Sequence, residues 1–156
     1  MDEPTRQFRI NKVDHTGITV SSLDEALPFW VNVLGFKHLF TTTLENNAFS
    51  ENIVGVDGAA LTVAMLEGPG HRIELLEYHA PEGRQVLKPR SCDVGSVHVA
   101  FCVDDLDALL ERIERFDWRR VGVPQTWESG GQVGTKVIYV RNPDGVTLEF
   151  LQPPDH

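Results

Sequence analysis

A chain of 156 residues with 41% hydrophobic content has room for one ordinary domain or for two small modules sharing a core. Its formal charge of -9 argues against partners that need a basic stripe, so nucleic acid is not expected. No apolar run approaches a membrane span, and Met1-Asp-Glu-Pro-Thr-Arg6 lacks the basic start and apolar stretch of a secretory signal. No membrane partner and a cytoplasmic location are therefore expected.

In chain order, residues 13–20 alternate and are rich in β-branched side chains, which predicts a strand with His15, Gly17 and Thr19 on one face. Ser22 with Glu25 three residues on makes a capping-box signal. Leu23, Leu27, Trp30, Val31 and Leu34 then form a helical stripe that Gly35 ends. Pro28 is tolerable there if the helix begins near Asp24. Strands follow at residues 37–43, 60–66 and 72–78, the last two joined by Glu67-Gly-Pro-Gly70, a hairpin-type turn. The segment 41–58 carries Ala48, Phe49, Ile53, Val54 and Val56, an apolar content suited to lining a pocket.

Residues 80–94 read as a linker. Arg84, Lys88 and Arg90 make a basic patch there that could meet a phosphate or carboxylate but reads more simply as a solvated loop. Beyond it the order repeats: a strand at 96–103, a helix at 105–116 carrying Leu106, Leu109, Leu110 and Ile113, and strands at 119–123, 135–140 and 146–151. Pro124 to Gly134 is a glycine-hinged loop with one aromatic, a lid or an ordinary hairpin loop. The prediction is an α+β fold of two βαβββ modules, residues 10–79 and 95–153, forming one compact domain.

The two modules match residue by residue. His15-Thr-Gly-Ile-Thr-Val20 corresponds to His98-Val-Ala-Phe-Cys-Val103, with Leu23 and Asp24 falling at the offsets of Leu106 and Asp107. Gly70-His-Arg-Ile-Glu74-Leu-Leu likewise superposes on Gly145-Val-Thr-Leu-Glu149-Phe-Leu. By strand parity His98 and Glu149 point away from the apolar face formed by Val97, Val99, Phe101, Leu148 and Phe150. Glu74 does the same relative to Ile73 and Leu75, and His15 is compatible. A lone carboxylate inside an apolar strand is costly unless paired or metal-bound. Two imidazoles and two carboxylates at duplicated positions suit a divalent ion, Zn, Ni, Co, Mn or Fe, with positions left for water or substrate. His38, His71, His79 and His156 have no duplicated partner and read as surface or structural, Trp30 and Trp118 as core, and Cys92 and Cys102 as reduced thiols.

Taken as a set, several phrases resemble the vicinal oxygen chelate superfamily of glyoxalases, epimerases, extradiol dioxygenases and bleomycin- and fosfomycin-resistance proteins. They are Val13-Asp-His-Thr-Gly-Ile-Thr-Val20, Phe29-Trp-Val-Asn-Val-Leu-Gly-Phe36, Ile73-Glu-Leu-Leu-Glu-Tyr78, Val97-His-Val-Ala-Phe101 and Asn142-Pro-Asp-Gly-Val-Thr-Leu-Glu-Phe150. The resemblance implies paired βαβββ modules curled into a mixed sheet around a metal-binding cleft, with His15, Glu74, His98 and Glu149 as ligands. It also implies a small-molecule substrate and a homodimer. Because all four ligand positions are kept, a divalent-metal-dependent lyase or isomerase is expected over a non-catalytic, resistance-type binding protein. Extradiol Fe(II) ring cleavage, the alternative, generally leaves the position of Glu74 without a ligand.

The implied reaction removes a proton next to a carbonyl and stabilises a metal-bound enolate, as in glyoxalase-like or CoA-ester epimerase-like members. By the same resemblance Glu149 or Glu74 is the candidate base, with Glu45 or Glu51 as a further carboxylate. The length of segment 41–58 departs from the epimerase pattern, and no clear glutathione-binding arrangement is present.

Overall fold

In the computed structural model, which describes residues 8–154, the duplicated pattern becomes two mixed sheets. The first has the order β1-β4-β3-β2, where β1 is Thr16–Thr19, β2 Lys37–Leu44, β3 Ala60–Gly68 and β4 His71–Ala80. The second has the order β5-β9-β8-β6, where β5 is Val99–Cys102, β6 Arg119–Arg120, β8 Lys136–Arg141 and β9 Thr147–Gln152. A short β7, Gln125–Thr126, pairs antiparallel with β8. Each sheet opens with the same unit, a four-residue strand lying parallel to the sheet's last strand in sequence, β1 on β4 and β5 on β9.

By contacts the chain divides into two units, residues 1–23 with 35–80, and residues 24–34 with 81–156. In the first, Leu61, Val63, Leu66, Ile73 and Leu75 are buried, together with Val20, Leu23 and Phe36. Gly68 lets the ring of Phe36 approach the backbone, since a Cβ there would lie only 2.4 Å from its ring carbons. In the second, Ile138, Val140, Leu148 and Phe150 form the buried sheet face, and Leu106, Leu110 and Ile113 of helix α3, Leu106–Ile113, are buried with them. Residues 24–34 add Phe29, stacked on Trp118 with ring centroids 4.4 Å apart, and Trp30, edge-on to Phe101 at 6.2 Å. Trp30 and Trp118 are core residues, as expected.

Several elements differ from expectation. The first strand is shorter than residues 13–20 and the fifth shorter than 96–103, leaving Val13 and Val97 exposed ahead of them. The strand expected over 119–123 shrinks to two residues. The first helix is composite: α1, Leu23–Pro28, passes into a π-helical turn, Phe29–Val33, closed by the Leu34 N–H donating to the Phe29 carbonyl at 3.1 Å. Pro28 supplies the reason, because it lacks the N–H that would continue the α pattern. Helix α2, Ala48–Val54, was not expected. Asn47 caps it, its side-chain oxygen accepting the Phe49 N–H at 2.9 Å, and Gly55 ends it in the left-handed conformation. Phe49 and Ile53 are exposed on it. Among the described residues no helix is long and apolar enough to cross a membrane.

Candidate metal centre

The structure brings the four predicted ligands together as two pairs, one in each unit. Each histidine stands one residue ahead of its short strand, and each glutamate lies on the parallel partner, Glu74 opposite Gly17 and Glu149 opposite Ala100. His15 Nε2 is 3.3 Å from Glu74 Oε2, and His98 Nε2 is 3.1 Å from Glu149 Oε2. The small residue opposite each glutamate leaves the carboxylate room to lean toward its histidine. A Cβ added at Gly17 would already touch Glu74 Oε2 at 3.5 Å. The carboxylates are the more sheltered members, with side chains 23% and 14% exposed against 34% and 39% for the imidazoles.

The His15 side adds a carboxylate not foreseen as a site residue. Asp14 Oδ2 lies 3.0 Å from His15 Nδ1, and Lys12 Nζ lies 2.5 Å from the other Asp14 oxygen. The Lys12 ammonium, then the His15 ring, hold the Asp14 carboxyl down at about 2. A carboxylate at Nδ1 fixes the tautomer that leaves Nε2 bare, which is the orienting contact common behind metal-ligating histidines. The donor set fits a first-row divalent cation, since two Nε2 atoms and two carboxylates are its preferred neutral and anionic donors. Among the described residues no group of three or more His, Cys, Asp or Glu side chains is arranged to hold a metal ion.

The His98 side adds Tyr139, also missed in the sequence. It sits opposite Glu149 in the β8–β9 register, its hydroxyl 3.3 Å from His98 Nε2 and its ring 4.7 Å from the imidazole. Burial, and then the charge of Glu149, push the Tyr139 phenol above its ordinary value of 10.0, so it stays a proton-bearing hydroxyl. The residue opposite Glu74 is Met65, so the two pairs have different neighbours. Beside Glu149 and Tyr139 a cleft of about 350 Å³ opens, lined by Val121, Val123, Trp127 and Val137 among others.

The remaining candidates lie elsewhere. Glu45 is exposed between β2 and α2, and Glu51 sits in the first turn of α2. Residues 48–56, expected to line a pocket, are absent from the lining of this cleft. The loop over 124–134 supplies Gln125 and Trp127 to the cleft wall. It forms a hairpin arm in which the Trp127 N–H donates to the Thr135 carbonyl at 3.0 Å. Arg90 is clipped to Asp93 at 2.7 Å and Arg84 donates to the Pro81 carbonyl, so these two basic residues are engaged within their own loop. His71 shares a hydrogen bond with Thr16 at 2.7 Å, His79 with Thr62 at 2.8 Å and His38 with Thr41 at 2.8 Å, all structural roles. His156 lies outside the described residues.

Comparisons with known proteins agree with this architecture. A family model, the Glyoxalase/Bleomycin resistance protein/Dioxygenase superfamily, matches residues 12–150. A 2-epi-5-epi-valiolone epimerase from Actinomyces sp is 35% identical over 146 residues, covering 91% of this chain and 79% of that protein. A lactoylglutathione lyase from Salmonella typhimurium is 29% identical, covering 90% and 92%. Among solved structures, a glyoxalase family protein from Bacillus cereus has the same fold with a TM-score of 0.83 at 22% identity, covering 97% and 100%. A fosfomycin resistance protein, FosX, from Listeria monocytogenes, complexed with Mn(II) and a dihydroxypropylphosphonic acid, aligns with a TM-score of 0.62 at 16% identity, covering 91% and 90%. The chain belongs to the glyoxalase/bleomycin resistance protein/dioxygenase superfamily.

Proposed function

We propose that this protein is a divalent-metal-dependent lyase or isomerase that removes a proton from the carbon next to a carbonyl, and that it works as a homodimer. The observation that carries the reading is the duplicated His–Glu pair, built at matching positions in both units with Nε2 and Oε2 3.1 to 3.3 Å apart. His15, Glu74, His98 and Glu149 would hold the ion, one of Zn, Ni, Co, Mn or Fe. Relatives named as an epimerase and as lactoylglutathione lyases support proton-transfer chemistry without net redox change.

When bound, the ion would act as a Lewis acid toward the substrate's oxygens and stabilise the negative charge that develops there. The protein's own residues do the rest. A glutamate of the set takes the proton from carbon, and the electron pair left behind moves onto the carbonyl oxygen. Returning a proton to the same carbon from the opposite face gives an epimer, whereas delivery to the former carbonyl carbon, with a hydroxyl on the first carbon passing its proton to the enolate oxygen and becoming the new carbonyl, gives an isomer. The Tyr139 hydroxyl stands ready to donate a hydrogen bond to an oxygen arriving beside His98. Glu45 and Glu51 remain further carboxylates for the transfer, to be tested by Gln substitution.

Metal content of protein purified without added metal or chelator tests this directly. About one ion per chain is expected in the wild type, with loss in Glu74→Ala and in His98→Ala. If wild type holds no stoichiometric metal even after reconstitution with each of the five ions, the enzymatic reading fails.

A further inference from the structure

We infer that two copies of this chain meet through helix α2 and the 84–90 segment: Phe49 and Ile53 of one copy pack on Val86 and Leu87 of the other, and a two-fold axis makes the contact twice. The inference rests on the homodimer of the proposed function and names its surface. It depends neither on the metal nor on the reaction.

Two exposed apolar patches motivate it. On α2, Phe49 and Ile53 stand four residues apart, on one face of the helix, and are 69% and 68% exposed. In the 84–90 segment, Val86 and Leu87 are 56% and 76% exposed. Both patches sit on backbone that is already fixed, so little ordering is left to oppose association. Asn47 caps α2 at one end, Gly55 closes it at the other, and the buried Ser50 hydroxyl donates to the Asn47 carbonyl at 2.9 Å. The 84–90 segment has no regular structure, yet its backbone lies directly on the β8–β9 turn. A Cβ at Gly145 would overlap the Leu87 carbonyl oxygen and stand 3.0 Å from the Lys88 Cα. At its end, the Asp93 carboxylate accepts the Arg90 N–H at 2.7 Å, and Arg141 donates to the Ser91 hydroxyl at 3.3 Å. Val86 and Leu87 are thus presented from a pinned backbone.

Charge decides which patch meets which. Residues 45–57 carry Glu45, Glu51 and Asp57 and no base, whereas residues 84–90 carry Arg84, Lys88 and Arg90 and no acid. Among the described residues no cation pairs with those three carboxylates, and Lys88 makes no ion pair. Arg90 is answered by Asp93, but Arg84 gives an N–H to the neutral Pro81 carbonyl and keeps its charge. Two α2 helices packed on each other would set carboxylates against carboxylates, and two 84–90 segments would oppose cations. Cross-pairing instead sets acid against base around an apolar centre, a charged rim on a hydrophobic core. Under a two-fold axis each copy gives one patch of each kind, so both contacts close together.

The test reads self-association of the full chain by sedimentation velocity. Ile53→Lys sets a cation against the partner's cations, and Leu87→Glu sets an anion against its anions. Each is expected to raise the dimer dissociation constant at least about tenfold. In the chain carrying both substitutions the new charges face each other across the interface, and association is expected to recover most of that loss. Both positions are exposed, so neither change disturbs the core. Cross-linking locates the contact independently of affinity. In a background of Cys92→Ser and Cys102→Ser, differently tagged Ile53→Cys and Leu87→Cys chains are mixed, allowed to exchange and treated with a short bis-maleimide. A product carrying both tags is expected, absent when both chains carry Ile53→Cys. A dimer indifferent to Ile53→Lys and Leu87→Glu, no recovery in the double variant, or no doubly tagged product overturns the inference while the homodimer stands. A wild type that stays monomeric at every concentration overturns both.

Discussion

At the scale of single residues, the two histidines are served differently. His15 has a carboxylate behind it, Asp14 at 3.0 Å from Nδ1, while His98 has the Tyr139 hydroxyl beside its Nε2 at 3.3 Å. Asp14 works through His15, as a positioning residue. Asp14→Asn keeps the size of the side chain but removes the charge that fixes the ring tautomer, and metal affinity is expected to fall by about 10- to 100-fold. Competition with a calibrated chelator measures this, and unchanged affinity would show that the ring is oriented without Asp14. The sign of its pH dependence follows from its depressed value. The charged contact is fully present above the ordinary 3.8 and is lost only as the pH falls toward about 2. Loss of metal at milder acidity therefore has to originate in other groups.

At the scale of elements, the duplication reaches further than the ligands. Three residues beyond each glutamate, on the opposite face of the strand, a side chain accepts the first N–H of a helix. Glu77 Oε2 takes the Leu23 N–H at 2.7 Å, and Gln152 Oε1 takes the Leu106 N–H at 2.9 Å. Each glutamate-bearing strand thus fixes the start of the helix that follows the histidine-bearing strand, so ligand and helix are set by one element. Gln152→Ala is expected to lower stability by about 1 kcal/mol, the ordinary cost of a lost helix-start acceptor, without changing metal content. Denaturant unfolding checks the first part and metal analysis the second; a drop in metal content would mean that Glu149 shifts with the strand. This link was legible in the sequence, because Glu77 and Gln152 fall at the same duplicated offset as Glu74 and Glu149. Asn47 and Gly55, flanking residues 48–54, were likewise signals for α2. Pro28 told of an interruption, but periodicity alone could not say that the chain would carry on past it as a π turn. Tyr139 was hidden for another reason: it becomes a neighbour of His98 only through strand register.

At the scale of the whole molecule, each His–Glu pair is self-contained, resting on one parallel strand contact within its own unit. Repetition made the pairs readable from the sequence, whereas the grouping of residues 24–34 with the second unit depends on tertiary packing that no local pattern encodes. A metal site assembled from two self-contained halves can draw them from two chains of a homodimer, because a two-fold axis generates both combinations at once. His15→Ala breaks only the first pair and His98→Ala only the second. Mixed and refolded together at equal concentration, half of the dimers are mixed. In each of those, if sites are shared, one site carries both lesions and the other carries none. Metal binding is then expected to return to about a quarter of the wild-type level, although each variant alone binds none. Mixing that restores nothing, with mixed dimers demonstrated by differential tagging, would place all four ligands of each ion within a single chain.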